Sequence, residues 1–424
     1  MPQPCEPQPD DGKPPNAPPS GLPNLWPRVK PEFEIDEPLP DAGFETICAR
    51  YAENPQRQLG AAAPPVYQTS TFIYPDAEAF EHRRTEAAAT YDYSRCANPT
   101  NQILEAKLAR LENAAWADCF GSGMGAISAA INACVKSGEH VVAVAHCYGP
   151  TRWYLEHLKR FGVETTFVNS VEPRDFVAAM RPETRLVYLE SPTSGRFDVP
   201  EVPPVAAAAR ERGIVTIFDN SWATPYFQRP LDFGVDLVVH SASKYLNGHS
   251  DVVAGVAAGR DERLRRRLWK EAELCGAMLD PFAAWLMLRG LRTLALRMEQ
   301  HQRSGLAVAR MLEQHPKVRQ VLHPGLESHA QHAVGRRQLR GYSGLFSFEL
   351  KDGSREAMHA FLNRLKLFGL GVSWGGYESL VLGGTTFSDR PDRPENLIRL
   401  SVGLESIDDL IADLKRALEA PRTS

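Results

Sequence analysis

The sequence predicts an α/β protein: a mostly parallel central sheet between residues 100 and 260, followed by a smaller α+β unit. Two observations carry this. Between 100 and 260, short apolar runs at 140–145, 165–168, 186–189, 214–218 and 235–239 alternate with helical patterns, as strands joined by crossover helices do. After Asp280-Pro281 the pattern changes to a long helical stretch reading on to about His315. An alternating run at 344–350 and helices near 354–366 and 406–418 then follow.

Length and composition leave room for one large and one smaller core, since the chain has 424 residues, 43% hydrophobic and 24% charged. A net charge of -4 gives no general drive toward nucleic acid or an anionic membrane, so a small-molecule partner is the better expectation. The seven cysteines are scattered and contain no Cys-x-x-Cys, which argues against a disulfide framework or a zinc site and fits a reducing cytoplasm. No apolar stretch approaches the ~18 residues of a membrane span, and the first residues lack the regions of a signal peptide. Residues 1–40 are dense in proline with few aliphatics, and the expectation is a mostly disordered tail.

Taken in order, the elements deliver polar residues to strand ends. Tyr91-Asp92-Tyr93-Ser94-Arg95 puts Tyr93 and Arg95 on one face if extended, a pairing that suits a phosphate dianion or an ordinary surface ion pair. The helix opening at Thr100 carries Leu104, Leu108 and Leu111 on one side. Gly121-Ser122-Gly123-Met124-Gly125 precedes a helix expected at 126–135, so backbone amides at its start can hold a phosphate. A dinucleotide-binding loop is the rival, but the spacing is Gly-x-Gly-x-Gly. Tyr148 follows the 140–145 run, where its ring could lie on a cofactor or serve in the core. The stretch 202–212 is an alanine-rich crossover helix.

Ligands of open sheets bind beyond the carboxyl ends of the strands, so Asp219 and Lys244 carry most weight. Asp219 ends the 214–218 run and is either a capping aspartate or the partner of a ring nitrogen. Lys244 lies just past the 235–239 run. A lysine there either snorkels or is converted to an imine by an aldehyde, and this is where a pyridoxal phosphate Schiff base would form. Ser241 and Ser243, at odd spacing on extended backbone, would point two hydroxyls at one phosphate. Farther on, Ser406 with Asp409 resembles a capping box before an apolar face of Ile407, Leu410, Ile411, Leu414 and Leu418. The basic run Arg263, Arg265, Arg266, Arg267 and Lys270 reads as a solvated helix face, and His329 with His332 as a surface pair and not a metal site.

Together these residues resemble the Cys/Met-metabolism family of pyridoxal-phosphate enzymes over about residues 45–418. The motifs are Tyr93-Ser94-Arg95 with Asn98-Pro99-Thr100, Gly121-Ser122-Gly123-Met124, Glu190-Ser191-Pro192, Asp219-Asn220, Ser241-Ala242-Ser243-Lys244-Tyr245, Gly248-His249-Ser250-Asp251, Leu288-Arg289-Gly290-Leu291 and Ser373-Trp374-Gly375-Gly376-Tyr377-Glu378-Ser379. The resemblance implies pyridoxal-phosphate fold type I. It implies Lys244 as the Schiff-base lysine and Asp219 as the pyridinium partner. Tyr148 would stack on the ring and act with Lys244 in catalysis, and Gly123, Met124, Ser241 and Ser243 would hold the phosphate. Tyr93 and Arg95 would reach a neighbouring subunit's phosphate, so a dimer is the minimum unit and a tetramer the family's usual state. Arg399 matches a clamp for the substrate α-carboxylate, with Ser373, Trp374 and Tyr93 beside the substrate. The corresponding division is a tail at 1–40, an arm at 41–97 against the neighbouring subunit, a cofactor domain at 98–290 and a C-terminal domain at 291–424.

The branch of the family is mixed. Ser373-Trp374-Gly375-Gly376-Tyr377 looks like bacterial cystathionine β-lyase, and Val372 replaces a glutamate that many γ-acting relatives carry. Tyr93-Ser94-Arg95-Cys96-Ala97-Asn98-Pro99-Thr100 and Lys244-Tyr245-Leu246-Asn247-Gly248 look more like the γ-branch. Cys96 stands where β-lyases commonly place a second arginine for the distal carboxylate of cystathionine, and Glu273 where an aromatic is common. The resemblance therefore implies a C–S β-lyase that takes a cysteine S-conjugate or cystine as readily as cystathionine, with a γ-acting enzyme or a catalytically silent binding protein as alternatives.

Overall fold

The computed structural model describes residues 41–82, 91–384 and 396–419, so the tail expected at 1–40 lies outside the described residues. Seven strands form the larger sheet: β1 (Trp116–Phe120), β2 (His140–Val144), β3 (Glu164–Val168), β4 (Thr184–Glu190), β5 (Val215–Asp219), β6 (Leu237–Ser241) and β7 (Gly255–Gly259). Their spatial order is β1-β7-β6-β5-β4-β2-β3. Strands β3, β2, β4, β5 and β6 pair in parallel, and β7 alone runs against both its neighbours, so β1 points the same way as the other five.

Parallel strands covered by helices on both faces are buried along their whole length, which is why they read as unbroken apolar runs. Strand β2 is buried at every position, whereas the edge strand β3 is not. Strands β1 and β7 have no such run: Trp-Ala-Asp-Cys-Phe carries a charge in its middle, and Gly-Val-Ala-Ala-Gly lacks bulk.

The strand before Lys244 lies two residues later than the apolar run suggests. The Asp236 carboxylate accepts from both the amide and the hydroxyl of Thr216, each at 2.8 Å, and this fixes the entry so that β6 begins at Leu237. Ser241 is then the last strand residue, and Ser243 and Lys244 sit in the turn that follows. Ser243 is thus not on extended backbone, contrary to what the spacing suggests.

The smaller sheet has order β10-β11-β12-β9-β8, from β8 (Val318–Leu322), β9 (Leu345–Leu350), β10 (Gly369–Leu370), β11 (Leu380–Gly383) and β12 (Leu397–Ser401). It is antiparallel except for β10 with β11. The alternation at 344–350 suggests a half-buried strand, but β9 is buried at all six positions because β8 and β12 flank it and a separate apolar core packs around it. The helical stretch after Asp280 is two helices, Pro281–Leu291 and Leu294–Glu313, broken at Arg292-Thr293. The second spans two cores: Leu294 and Met298 pack with Tyr245 and Leu288, while Val308, Ala309 and Leu312 pack with Phe346 and Phe348.

Ser406 caps its helix as the sequence predicts, accepting from the Asp409 amide at 3.4 Å. The basic run lies on the helix Glu262–Cys275, where Arg265 pairs with Asp118 at 3.4 Å. His329 is buried, not at the surface; its Nδ1 accepts from the Gln331 amide at 3.2 Å, and His332 Nδ1 bonds Pro324 O at 3.0 Å. Both rings close local turns. Among the described residues no group of three His, Cys, Asp or Glu could hold a metal ion, and no helix is long and apolar enough to cross a membrane.

Candidate active site

Register places the functional residues along one edge of the larger sheet. Phe120 and Ser241 both pair with Gly255, and Asp219 pairs with Glu190 on one side and Val239 on the other. With neighbouring strands about 5 Å apart, the exits of β1, β6, β5 and β4 therefore share one carboxyl-end cleft.

The glycine loop is shorter than its sequence suggests, because the helix begins at Gly123 and runs to Asn132. Ser122 caps it, its Oγ accepting from the Gly125 amide at 2.9 Å. The amides of Gly123 and Met124 remain as first-turn donors at the positive end of the helix. A Cβ on Gly123 would lie 2.8 Å from Ser241 Oγ, so only glycine lets this turn pack against β6. The Ser241 hydroxyl makes no hydrogen bond among the described residues, while its amide donates to Ser221 Oγ at 2.6 Å. Ser243 behaves differently: its hydroxyl donates to Ala254 O at 3.2 Å and accepts from Ala254 N at 2.9 Å, which ties the turn to the residue before β7.

Ser221 continues this line to Asp219, whose Oδ1 accepts from the Ser221 amide at 3.0 Å and hydroxyl at 2.6 Å. Among the described residues, Oδ2 has only a long contact, 3.5 Å, with the hydroxyl of the fully buried Tyr188. Burial pushes the Asp219 carboxyl above its ordinary range, and the Ser221 hydrogen bonds oppose that rise. A carboxylate desolvated to this degree favours a cationic partner at its open oxygen.

On the other side, Tyr148 precedes the helix Gly149–Leu158, held by its amide donating to Glu190 Oε2 at 2.7 Å. Its ring is 42% exposed and so open to stacking. Burial raises its phenol pKa, and the Asp219 charge raises it further while Arg399 opposes. Tyr148, Asp219 and Arg399 thus share one field.

Lys244 Nζ donates to Ser373 Oγ at 2.7 Å and lies 5.6 Å from the Trp374 ring centroid. Arg399 Nη2 donates to Val372 O at 2.9 Å and Ser373 O at 3.1 Å, so one C-terminal loop anchors both cations. Burial, then repulsion from Arg399, lowers the lysine pKa to about 8, with Glu378 opposing. The amine is therefore largely neutral above pH 8 and largely charged below it. Competitive acetylation of the cofactor-free protein is expected to label the Lys244 peptide with an inflection near pH 8, against about 10.4 for an ordinary lysine. An inflection near 10.4 would contradict this placement. Between those values an unfolded chain holds the proton and the folded one does not, so the Lys244 contribution to stability rises with pH across that window.

Tyr93 and Arg95 do not lie on one extended face. Tyr93 bridges Thr71, and a turn over 94–96 carries Arg95 onto the helix Glu262–Cys275, where Nη1 donates to Glu273 O at 2.7 Å. Arg95 contacts this helix and the Tyr93 ring. The two departures noted in the sequence meet here: the buried Cys96 Sγ donates to Glu273 Oε1 at 3.2 Å. Sequence spacing gives no sign of this pair, nor of Ser221 and Tyr188 around Asp219.

Residues 45–419 match the model of the Cys/Met metabolism PLP-dependent enzyme family. The chain is 41% identical over 396 residues to an L-methionine gamma-lyase of Porphyromonas gingivalis, covering 91% of this chain and 99% of that protein. It is 39% identical over 399 residues to a putative cystathionine beta-lyase of Rhizobium johnstonii, covering 91% and 98%. The crystal structure of metB from Corynebacterium glutamicum superposes with a TM-score of 0.84 at 33% identity, covering 89% of this chain and 98% of that one.

Proposed function

Because the chain belongs to the Cys/Met metabolism family of PLP-dependent enzymes, with their type I fold and pyridoxal 5'-phosphate as cofactor, we propose that it is a C–S β-lyase. It cleaves cystathionine or a related cysteine S-conjugate to a thiol, pyruvate and ammonia, with water consumed. The observation that carries this reading is the tethering of Lys244 by Ser373 beside Trp374, next to Arg399.

The cleft fits the cofactor on its own features. Two first-turn amides and the open Ser241 hydroxyl suit a phosphate, Asp219 Oδ2 suits a protonated ring nitrogen, and the exposed Tyr148 ring suits stacking. Ser243 contributes by fixing the turn, since its hydroxyl is engaged with Ala254. When bound, pyridoxal phosphate supplies an electron sink conjugated with the substrate nitrogen.

The chain's residues do the rest. Arg399, braced by Val372 O and Ser373 O, grips the α-carboxylate and orients the substrate. Lys244 takes the Cα proton in its neutral form, and a pKa lowered to about 8 leaves more of that form at neutral pH than an ordinary lysine has. The Ser373 hydroxyl accepts from the resulting ammonium, and the Trp374 ring lies beside it. Tyr148 lies over the same space. Cleavage at Cβ needs one proton removed from carbon, whereas γ-cleavage needs a second taken from Cβ by a mobile base. Val372, 74% exposed, offers no carboxylate beside Arg399 for that second transfer. The Cys96–Glu273 pair likewise provides no cation for a distal carboxylate, so cystine and S-conjugates serve as well as cystathionine.

A γ-acting alternative is favoured by one finding, the L-methionine gamma-lyase name of a relative 41% identical. Methionine carries its sulfur on Cγ alone, and cystine on Cβ alone. The holoenzyme is expected to release pyruvate from cystine and no methanethiol from methionine; methanethiol release would reverse the choice.

We read the protein as at least a homodimer, and as a tetramer of two such dimers, whose 41–97 arm completes a neighbouring site through Tyr93 and Arg95. Exposed Leu59, Ile73 and Tyr93 along that arm support this. Residues 98–290 and 291–424 then form the cofactor and C-terminal domains. The six described cysteines are free thiols, in keeping with a cytoplasmic setting.

A further inference from the structure

The Lys244 turn is held from behind by an arginine whose hydrogen-bond partners are carbonyls and one hydroxyl. Arg297, 6% exposed, lies near the start of the helix Leu294–Glu313. Its Nη1 donates to Tyr245 O at 2.6 Å, its Nη2 to Gly290 O at 2.8 Å and Leu246 O at 3.4 Å, and its Nε to Thr293 Oγ1 at 3.1 Å. All of its nitrogens are therefore occupied by the turn after Lys244 and the break between two helices. Gly248 closes the turn with φ +73°, and a Cβ there would lie 1.9 Å from Arg297 Nη1. Burying a guanidinium against neutral carbonyls and a hydroxyl, with no carboxylate partner among the described residues, is costly and lowers its pKa to about 10, so the fold maintains it against an electrostatic penalty.

The same helix is fixed one turn later. His301 Nδ1 bonds Val402 O at 2.9 Å, just past β12, which carries Arg399, and its ring meets Tyr245 edge-on at 4.9 Å. One helix therefore grips the lysine turn with Arg297 and the arginine strand with His301.

We infer that Arg297 is a positioning residue that holds the Lys244 turn at a fixed depth against the Arg399 strand, keeping the lysine amine enclosed beneath Ser373 and Trp374. A lysine cannot replace it, because three carbonyls and a hydroxyl are met by one planar fork. Loss of the fork lets the turn move outward, and the amine regains water. The charged groups facing Lys244 are Arg399 and Glu378, and the titratable groups facing Arg297 are Cys48 and His301; none is substituted in the test below.

The inference rests on Lys244 being the cofactor-attachment lysine, and the test keeps the two apart. Borohydride reduction of the wild-type holoenzyme, with peptide mass analysis, must first find pyridoxyl phosphate on Lys244; its absence there removes the underlying reading. Competitive acetylation of cofactor-free Arg297→Met, Arg297→Lys and Thr293→Val then measures the amine directly. Thr293→Val removes one anchor of the fork at an exposed position, so it reads the effect even where Arg297→Met fails to fold. The expected result is a Lys244 inflection at higher pH, with reactivity at pH 7 falling about tenfold for each pH unit that the inflection climbs, most in Arg297→Met and less in Thr293→Val. Circular dichroism is expected to remain that of the folded protein in Thr293→Val. An inflection still near 8 in every folded variant, with only the melting temperature lowered, would make Arg297 merely structural and overturn the inference.

Discussion

Replacing Lys244 with alanine is expected to remove covalent attachment of pyridoxal phosphate and to lower C–S cleavage by about 10²–10⁴-fold, the range for losing a positioned general base. The cofactor is still expected to bind noncovalently, because the first-turn amides of Gly123 and Met124 and the Ser241 hydroxyl are untouched. Lys244→Arg gives no rescue: a guanidinium stays protonated at neutral pH and cannot take the Cα proton. The measurements are peptide mass after borohydride reduction and steady-state kcat. Attachment to another lysine at wild-type rates would refute the role given to Lys244.

Asp219→Asn is expected to separate stability from activity. Activity falls by about 10²–10³-fold, as when one preorganised electrostatic group is removed, because a neutral amide does not keep the ring nitrogen protonated. The cofactor-free protein, in contrast, gains stability at neutral pH. Burial raises the Asp219 carboxyl pKa, so the folded state resists the charge that the unfolded chain accepts freely. That penalty is present above the ordinary carboxylate range and disappears as pH falls below it, so the stability difference between variant and wild type shrinks in acid. Asparagine keeps an oxygen for the Ser221 amide and hydroxyl. Thermal melting of both proteins without cofactor, across pH, checks the sign; a destabilised variant at neutral pH would mean that Asp219 serves the fold alone.

Much of the cleft is legible in the sequence because parallel strands buried on both faces leave apolar runs, and polar residues at their exits stand out. Asp219 and Lys244 are found this way, and Gly123 with Met124 by the glycines before a helix. The boundaries are less legible. The apolar run at 235–239 cannot reveal that Asp236 binds Thr216 and moves the strand to 237–241, which takes Ser243 off extended backbone. The turn at 94–96 likewise removes the shared face expected of Tyr93 and Arg95.

Contacts across long sequence separations are not legible at all. Ser373 reaches Lys244 across 129 positions and Glu273 meets Cys96 across 177, and no local pattern encodes either. Arg297 is hidden for a related reason: in sequence it is one more cation in a helix rich in polar residues, and only packing shows that its partners are carbonyls of a distant turn.

Cystathionine carries a Cβ–S and a Cγ–S bond in one molecule, so the holoenzyme must choose between them. Product analysis of a single incubation with cystathionine tests the central claim most directly. A site with one tethered base at Lys244 predicts homocysteine and pyruvate; cysteine and 2-oxobutyrate would contradict it.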